Sequence, residues 1–307
     1  MFDLIIIGGG PAGITAGIYA GRKKLNTLVI SKDFTGQTGK AFLIENYPGM
    51  YKVQGAKLIE KFKKQLEKFL VDINMGEEVT GIKKKKKGFF EVATTQKDRY
   101  FAKSVIIASG SNPRSLKVPG EKRLIGRGVS YCAVCDAPFF KDKIVVVVGG
   151  GNSGVETALD LTKYAEKVYI LEFASKINAD EFIFEKAKKN KKIEIICSTV
   201  LKEIRGDKKI SSIIYEGRKS KETKELSTDG VFAQIGYVPT SSFVKKLVNL
   251  NRKGEIEIDF KTNQTKTKGL FAAGDVSSIS QKQIVIAAGE GAKAALSCYN
   301  YLRDSEE

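Results

Sequence analysis

The chain of 307 residues contains no histidine. That removes the side chain most often used as general base, metal ligand and pH switch, so proton transfer falls to Asp, Glu, Cys, Tyr or Lys. Cysteine is scarce: Cys132, Cys135, Cys197 and Cys298 are the full set. A structural zinc site needs four convergent ligands, commonly as two close pairs. One close pair and no histidine leave no metal site to expect. No apolar run approaches the roughly 20 residues of a membrane span, so no membrane association is expected. MFDLIIIGGG opens without a basic stretch ahead of its apolar segment. It reads as a first strand and not as a signal peptide, and a cytoplasmic location is the matching expectation.

Acidic residues are few beside basic ones, 35 against 52, for a net charge of +17. Such an excess can mark a nucleic-acid or membrane surface. Here the lysines are spread along the chain. The densest run, residues 83–87, precedes Gly88 and a strand-like FFEVATT, the pattern of a hairpin loop and not of a basic arm with interleaved aromatics. Nucleic acid is therefore disfavoured as a partner, and the charge is assigned to solvated faces. Codon bias and heat adaptation explain a lysine-rich surface equally well.

What is present is an α/β pattern, twice. A hydrophobic content of 42% is ample for a core, and the length suits about two domains. Residues 2–7 form a continuous apolar run, as in a buried parallel strand. Gly8-Gly9-Gly10-Pro11-Ala12-Gly13 follows, then a small-residue helix over 14–24 and a second strand over 27–30. The order recurs as a strand over 143–148, Gly149-Gly150-Gly151-Asn152-Ser153-Gly154, a helix over 155–164 and a strand over 167–172. Breaks at 113–120 and 236–242 mark boundaries. The expected organisation is a discontinuous first domain, 1–113 plus 243–307, with a second domain, 114–242, inserted. The fold class expected is two Rossmann-like dinucleotide-binding domains.

In each G-x-G-x-x-G the first glycine allows the tight turn, the second lets a pyrophosphate approach the backbone, and the third lets helix and strand pack closely. The helix N-terminus offers free N–H groups and its positive dipole end to the phosphates. One such motif is weak evidence; two, each between strand and helix, are strong. The residue ending the next strand reads the ribose. In the second unit it is Glu172, 18 positions after Gly154. A carboxylate there accepts from a ribose diol and repels a 2′-phosphate, and no arginine pair follows it, which favours NADH over NADPH; Lys176 is the counter-signal. In the first unit the position is Ser31, a hydroxyl that still reaches a ribose but weakens the fingerprint.

Cys132-Ala133-Val134-Cys135 is the reactive candidate. Two cysteines three apart at a helix start suit a small-ring disulfide and a low-pKa thiolate. Asp136 follows directly and, with no histidine in the chain, is the best available acid. Cys197 and Cys298 sit in apolar runs and read as core residues.

These motifs resemble the low-molecular-weight thioredoxin reductases over essentially the full length. The matching pieces are GGGPAG at 8–13, GQT at 36–38, ENYPG at 45–49, CAVCD at 132–136, GGGNSG at 149–154, IGYVP at 235–239, AAGDV at 272–276 and KQIVIAAGEGAKAA at 282–295. CDAPFF, GGGNSGVETALDL, LEFASKINAD and DGVFAQIGYVP are closer still to the reductase portion of the alkyl hydroperoxide reductase flavoprotein. That protein's extra N-terminal thioredoxin-fold domains are not expected here, nor is relay through them.

The resemblance implies FAD in the discontinuous domain and a nicotinamide dinucleotide in the inserted one. Carried over by position, Gly8, Gly10, Pro11, Ala12 and Gly13 hold the FAD pyrophosphate. Gln37 and Asn46 line the flavin side, Asp275 binds the ribityl chain and Gln283 meets the isoalloxazine edge. Ser31, Gly110, Gly274, Lys282 and Ile284 complete that set. Gly149, Gly151, Asn152, Ser153, Glu156, Glu172, Ile235 and Gly236 form the nicotinamide-nucleotide set. Cys132 and Cys135 are the redox disulfide, with Asp136 as acid. The family also implies a homodimer, a thioredoxin or glutaredoxin-like partner, and domain rotation about the linkers, because nicotinamide and disulfide compete for one flavin face. The His-Arg-Arg pattern of NADPH-using relatives is missing. The alternatives are a flavin reductase acting on ferredoxin, a flavodoxin or oxygen, against which the cysteine pair speaks, and a relative that has lost pyridine nucleotide use, against which the intact turn at 149–154 speaks.

Overall fold

The computed structural model describes residues 1–40, 44, 46–86 and 88–304, and for Lys40, Val134 and Cys135 the backbone alone. The chain divides into two compact units, Met1–Asn112 with Val238–Glu307, and Pro113–Tyr237. Their second border precedes the 242/243 read from the sequence, because Thr240 and Ser241 bond within the first unit, to Ser109, Gly110 and the Gly254 carbonyl. The crossing stretches Ser111–Pro113 and Tyr237–Pro239 pair as a two-stranded ribbon.

In the first unit Phe2–Ile7 lies between Thr27–Ser31 and Arg99–Ile107, parallel to both. Asp72–Met75 extends the sheet beyond Thr27–Ser31. The long strand Arg99–Ile107 has two partners on its other side. Its first half pairs antiparallel with Phe90–Thr94, and its second half pairs parallel with Leu270–Ala272. Val79–Lys84 closes the edge, so residues 83 and 84 end a strand and do not belong to a free loop; Lys87 lies outside the described residues. Leu4, Ile5 and Ile6 are fully buried, which is why this strand is apolar without alternation. Leu4 and Ile6 meet Ile14, Ala294 and Cys298 of the helices Pro11–Arg22 and Ile284–Asp304. Ile5 and Ile7 meet Phe90, Val92 and Val248 on the other face. The two helices touch closely: a Cβ on Gly291 would lie 2.0 Å from the Ala12 carbonyl oxygen.

The second unit has a parallel sheet in the order Ile193–Ile196, Lys167–Leu171, Ile144–Val148, Gly230–Ala233, Val129–Ser130. Asn152–Leu161 covers one face through Ala158 and Leu161. An antiparallel sheet of Thr199–Gly206, Ile210–Gly217 and Thr223–Ser227 covers the other through Leu201, Ile204 and Ile213. Both glycine-motif helices start three residues earlier than the sequence suggests, at Pro11 and Asn152. The third glycine of each motif is thus already in the first helical turn, and Pro11 occupies the first position, where its missing N–H costs nothing.

Candidate functional site

Both glycine turns have the shape their spacing implies. Gly8 (φ 118°) and Gly149 (φ 114°) occupy the left-handed region, and a Cβ on either would strike the Ala108 or Gln234 carbonyl oxygen at 2.2 or 2.3 Å. Gly13 and Gly154 leave no room either, since a Cβ would stand 1.8 or 1.9 Å from the carbonyl oxygen of the first glycine in its own turn. The second glycines differ in kind. A Cβ on Gly10 meets nothing within 4 Å, and one on Gly151 meets only the Asn178 carbonyl oxygen at 3.9 Å. The space above them is the cradle a pyrophosphate fills. The helices behind them, capped at Gly10 and Gly151, carry no side-chain cap bond and no acid in the first turn. Their terminal N–H groups and positive dipole ends suit an anion. A dinucleotide fits both turns.

The strand-end residues hold the turns. The Gly9 N–H donates to Ser31 Oγ at 2.8 Å, and the Gly150 N–H donates to Glu172 Oε2 at 2.5 Å. Glu172 Oε1 also accepts from the Ala174 N–H at 2.6 Å. The carboxylate is therefore fixed by two backbone donors and keeps lone pairs for a ribose diol.

Among the residues expected to line the flavin, the structure brings together several far apart in sequence. Gln37 Nε2 donates to the Ser111 carbonyl (3.2 Å), the Ser111 hydroxyl stands 3.5 Å from Asp275 Oδ2, and Asn46 Nδ2 donates to Gln283 Oε1 (3.2 Å). Burial pushes the Asp275 carboxyl above its ordinary value, partly offset by Lys282 and the Ser111 hydroxyl. A half-buried carboxyl of this kind suits a polyol chain. Gly110 and Gly274 take left-handed turns beside it, at φ 67° and 73°. Gln283 sits one residue before the helix beginning at Ile284. The Lys282 ammonium is held by Glu255 at 3.0 Å and by the Ser277 carbonyl at 2.6 Å. Ala12 is buried and serves helix contact. Glu45 of the ENYPG piece lies outside the described residues.

In the inserted unit Asn152 and Asp180 clamp each other, with Asn152 Nδ2 on Asp180 Oδ2 and the Asp180 N–H on Asn152 Oδ1, both at 2.8 Å. Desolvation, with Asp160 and Asp180 nearby, raises the Glu156 carboxyl. Ser153 is exposed, Ile235 is half-buried, and Gly236 (φ 91°) accepts the Arg114 N–H through its carbonyl at 2.8 Å.

Cys132 is disulfide-bonded, and Cys197 and Cys298 are free. The side chain of Cys135 lies outside the described residues. A one-turn helix, Ala133–Asp136, follows Cys132, and the Asp136 N–H donates to the Cys132 carbonyl at 3.2 Å. Two groups here have no motif. The buried Ser130 hydroxyl accepts the Cys132 N–H at 3.0 Å and lies 3.2 Å from its carbonyl. Next to it the Tyr131 hydroxyl donates to Glu121, a carboxylate 2% exposed. Glu121 also accepts from the Ser115 hydroxyl (2.6 Å) and the Leu116 and Lys117 N–H groups (2.7 and 2.8 Å). Burial alone would raise Glu121, but these bonds outweigh it and leave it lowered. Burial and the bond to Glu121 push Tyr131 up to about 12, so its phenol stays protonated and bound to Glu121 near neutrality. Asp136 is left as the nearest acid in sequence to Cys132. Burial likewise pushes the Cys298 thiol up to about 12, in keeping with a core role. Among the described residues no group of three or more His, Cys, Asp or Glu is arranged to hold a metal ion, and no helix is long and apolar enough to cross a membrane.

Two dinucleotide-type glycine turns and a disulfide-bonded cysteine define a redox protein of two nucleotide-binding units. The pyridine nucleotide-disulphide oxidoreductase family model matches residues 2–291, and the chain belongs to that family. It is 40% identical over 303 residues to an alkyl hydroperoxide reductase component of Pseudomonas putida, covering 98% of this chain and 58% of that one. It is 37% identical over 301 residues to a protein named NADH dehydrogenase of Bacillus subtilis, again 98% of this chain and 58% of that one. The chain thus spans a little under three-fifths of the length of these curated relatives. Thioredoxin reductase of Lactococcus lactis superposes with a TM-score of 0.89 at 39% identity, covering 99% of this chain and 100% of that one. The enzyme class is that of a thioredoxin reductase-like disulfide oxidoreductase.

Proposed function

We propose that the chain passes electrons from NADH, by way of FAD, to a Cys132–Cys135 disulfide, and from the resulting dithiol to a disulfide of a thioredoxin- or glutaredoxin-like protein. FAD belongs to the Met1–Asn112 and Val238–Glu307 unit and the nicotinamide nucleotide to Pro113–Tyr237. The observation carrying the reading is the disulfide-bonded Cys132 in a unit with its own open glycine turn. A bound flavin would supply the exchange between two-electron hydride chemistry and thiol chemistry. This chain's residues do the rest. Gly10 and Gly151 admit the pyrophosphates, Asp275 and Gln37 orient the first nucleotide, and Glu172 holds the adenosine ribose of the second. In the exchange step one cysteine thiolate attacks the partner disulfide and releases a partner thiolate. The second cysteine then attacks the mixed disulfide, restoring the Cys132–Cys135 bond and freeing the partner dithiol. Asp136 moves the proton that each thiol loses or gains. A homodimer in the cytoplasm belongs to the same reading.

NADH is the preferred donor, because Glu172 would face a 2′-phosphate with its own charge. A gap of about 2–4 kcal/mol, or roughly 30- to 1,000-fold in kcat/KM, follows for a half-buried site. The test is anaerobic stopped-flow reduction of the yellow holoprotein by NADH and NADPH in parallel, with wild type and Cys135→Ser. Flavin bleaching by NADH in both proteins, with disulfide turnover lost and a mixed disulfide trapped in the variant, is the expected result. Normal turnover by both Cys135→Ser and Cys132→Ser removes the dithiol relay. Equal kcat/KM for the two nucleotides removes the Glu172 argument.

A further inference from the structure

The local sequence after Glu172 offers no arginine, yet the fold delivers one. Arg218 lies just beyond the strand Ile210–Gly217, in the turn leading to Thr223–Ser227. Its guanidinium carbon stands 3.7 Å over the Phe173 ring, and its Nη1 donates to the Phe173 carbonyl at 3.0 Å. The backbone fixes this position. The Arg218 N–H donates to the Ser198 carbonyl and the Ser198 N–H donates to the Ala174 carbonyl, both at 2.8 Å. The peptide joining Phe173 and Ala174 is held from both sides, its N–H by Glu172 and its oxygen by Arg218. Carboxylate and guanidinium therefore face each other across one peptide plane, with no more than about 8 Å between the bonded atoms.

We propose that Arg218 is a specificity-determining residue for the nucleotide, supplying at the adenosine 2′ position the positive charge that the residues after Glu172 lack. The inference rests on the reading of this turn as the nicotinamide-nucleotide site. Arg218 is exposed, stacks on a ring that is itself 59% exposed, and uses one of five N–H donors on Phe173. A ribose whose diol meets Glu172 lies beside this peptide, with its 2′ substituent on the side towards the exposed guanidinium of Arg218. For a hydroxyl the arginine adds little. For a phosphate it offsets the repulsion of Glu172 by a charge-assisted bond. Arg218 thus places the preference for NADH at the lower end of the range, and the chain keeps residual use of NADPH.

The measurement is calorimetric binding of NAD⁺ and of NADP⁺ to the oxidised holoprotein, which involves no turnover. Arg218→Ala should weaken NADP⁺ about tenfold and NAD⁺ less than twofold. Arg218→Lys should recover part of the NADP⁺ loss, because it keeps the charge without the planar stack. Added salt should weaken NADP⁺ more steeply than NAD⁺ in wild type, and this difference should vanish in Arg218→Ala. Equal losses for both nucleotides would make Arg218 a general adenosine contact and overturn the proposal, as would no change in either. Failure of wild type to bind both nucleotides would instead bring down the nucleotide-site reading itself.

Discussion

The glycine turn at Gly8–Gly13 and the one at Gly149–Gly154 agree at their first and third glycines and differ in the charge at the strand end. Their first glycines have left-handed φ values within 4° of each other, 118° and 114°, and their third glycines press on their own turns within 0.1 Å of the same distance. In both, the residue between the first two motif glycines is itself glycine, and here the structure gives the reason. A Cβ on Gly9 would lie 2.8 Å from Ser31 Oγ, and one on Gly150 would lie 2.8 Å from Glu172 Oε2. The strand-end side chain reaches back over the turn and takes that glycine's N–H. Serine does this as well as glutamate. The negative charge is therefore not needed to build the turn, and its presence at Glu172 alone points to the ligand.

The largest expected effect tests the shared part. Gly13→Ala and Gly154→Ala place a Cβ against backbone that has nowhere to go, so helix and strand must part. A cost on the order of 3 kcal/mol follows, or about 100-fold in ligand affinity. Gly154→Ala should weaken nucleotide binding about 100-fold and leave flavin content unchanged, whereas Gly13→Ala should yield protein largely stripped of flavin on purification. Flavin content measured by absorbance and NAD⁺ binding by calorimetry separate the two. Equal damage to both ligands by either variant would break the assignment of one ligand to each unit.

The next effect tests the difference. Glu172→Ser gives the second turn the chemistry of the first. The Gly150 N–H keeps an oxygen acceptor in principle, while the charge disappears. The NADH-to-NADPH ratio of kcat/KM should fall from roughly 30-fold or more to within about fivefold of parity. An unchanged ratio would show that discrimination resides elsewhere.

How legible was this in the sequence? The glycine turns were legible because backbone clashes leave no other residue possible at Gly8, Gly13, Gly149 and Gly154, and such constraints are written in consecutive letters. The apolar strand over residues 2–7 was legible because it is buried on both faces. Arg218 was not. It is 45 residues from Phe173 and reaches it through a hairpin whose position depends on Ser198, itself in a left-handed turn with φ 56°. Nor was Glu121 legible. Nothing in its neighbours marks it among 35 acidic residues, and only the fold gathers Ser115, Leu116, Lys117 and Tyr131 around it beside Cys132. By residue identity Ser31 is a weakened fingerprint. The structure shows the serine filling the glutamate's structural role, which motif matching by residue identity misses.

The smallest effect concerns that serine. Ser31 is 8% exposed, accepts the Gly9 N–H, and donates to the Asp33 carbonyl. Ser31→Ala removes one acceptor and one donor from a buried turn and creates no clash. A loss of about 1–2 kcal/mol in stability is the usual cost of a buried N–H left without a partner. For a chain of this size that amounts to a fall of a few degrees in Tm. Ser31→Thr keeps the hydroxyl and should stay close to wild type if the extra methyl is accommodated. Glu172→Ala removes the partners of two N–H groups, Gly150 and Ala174, but at a half-buried site where water can replace them, so its loss per bond should be smaller. Thermal unfolding of the three variants with flavin bound gives the ranking. If Ser31→Ala unfolds with the wild type, the serine does not hold the turn, and the equivalence drawn between the two strand ends fails at its first member.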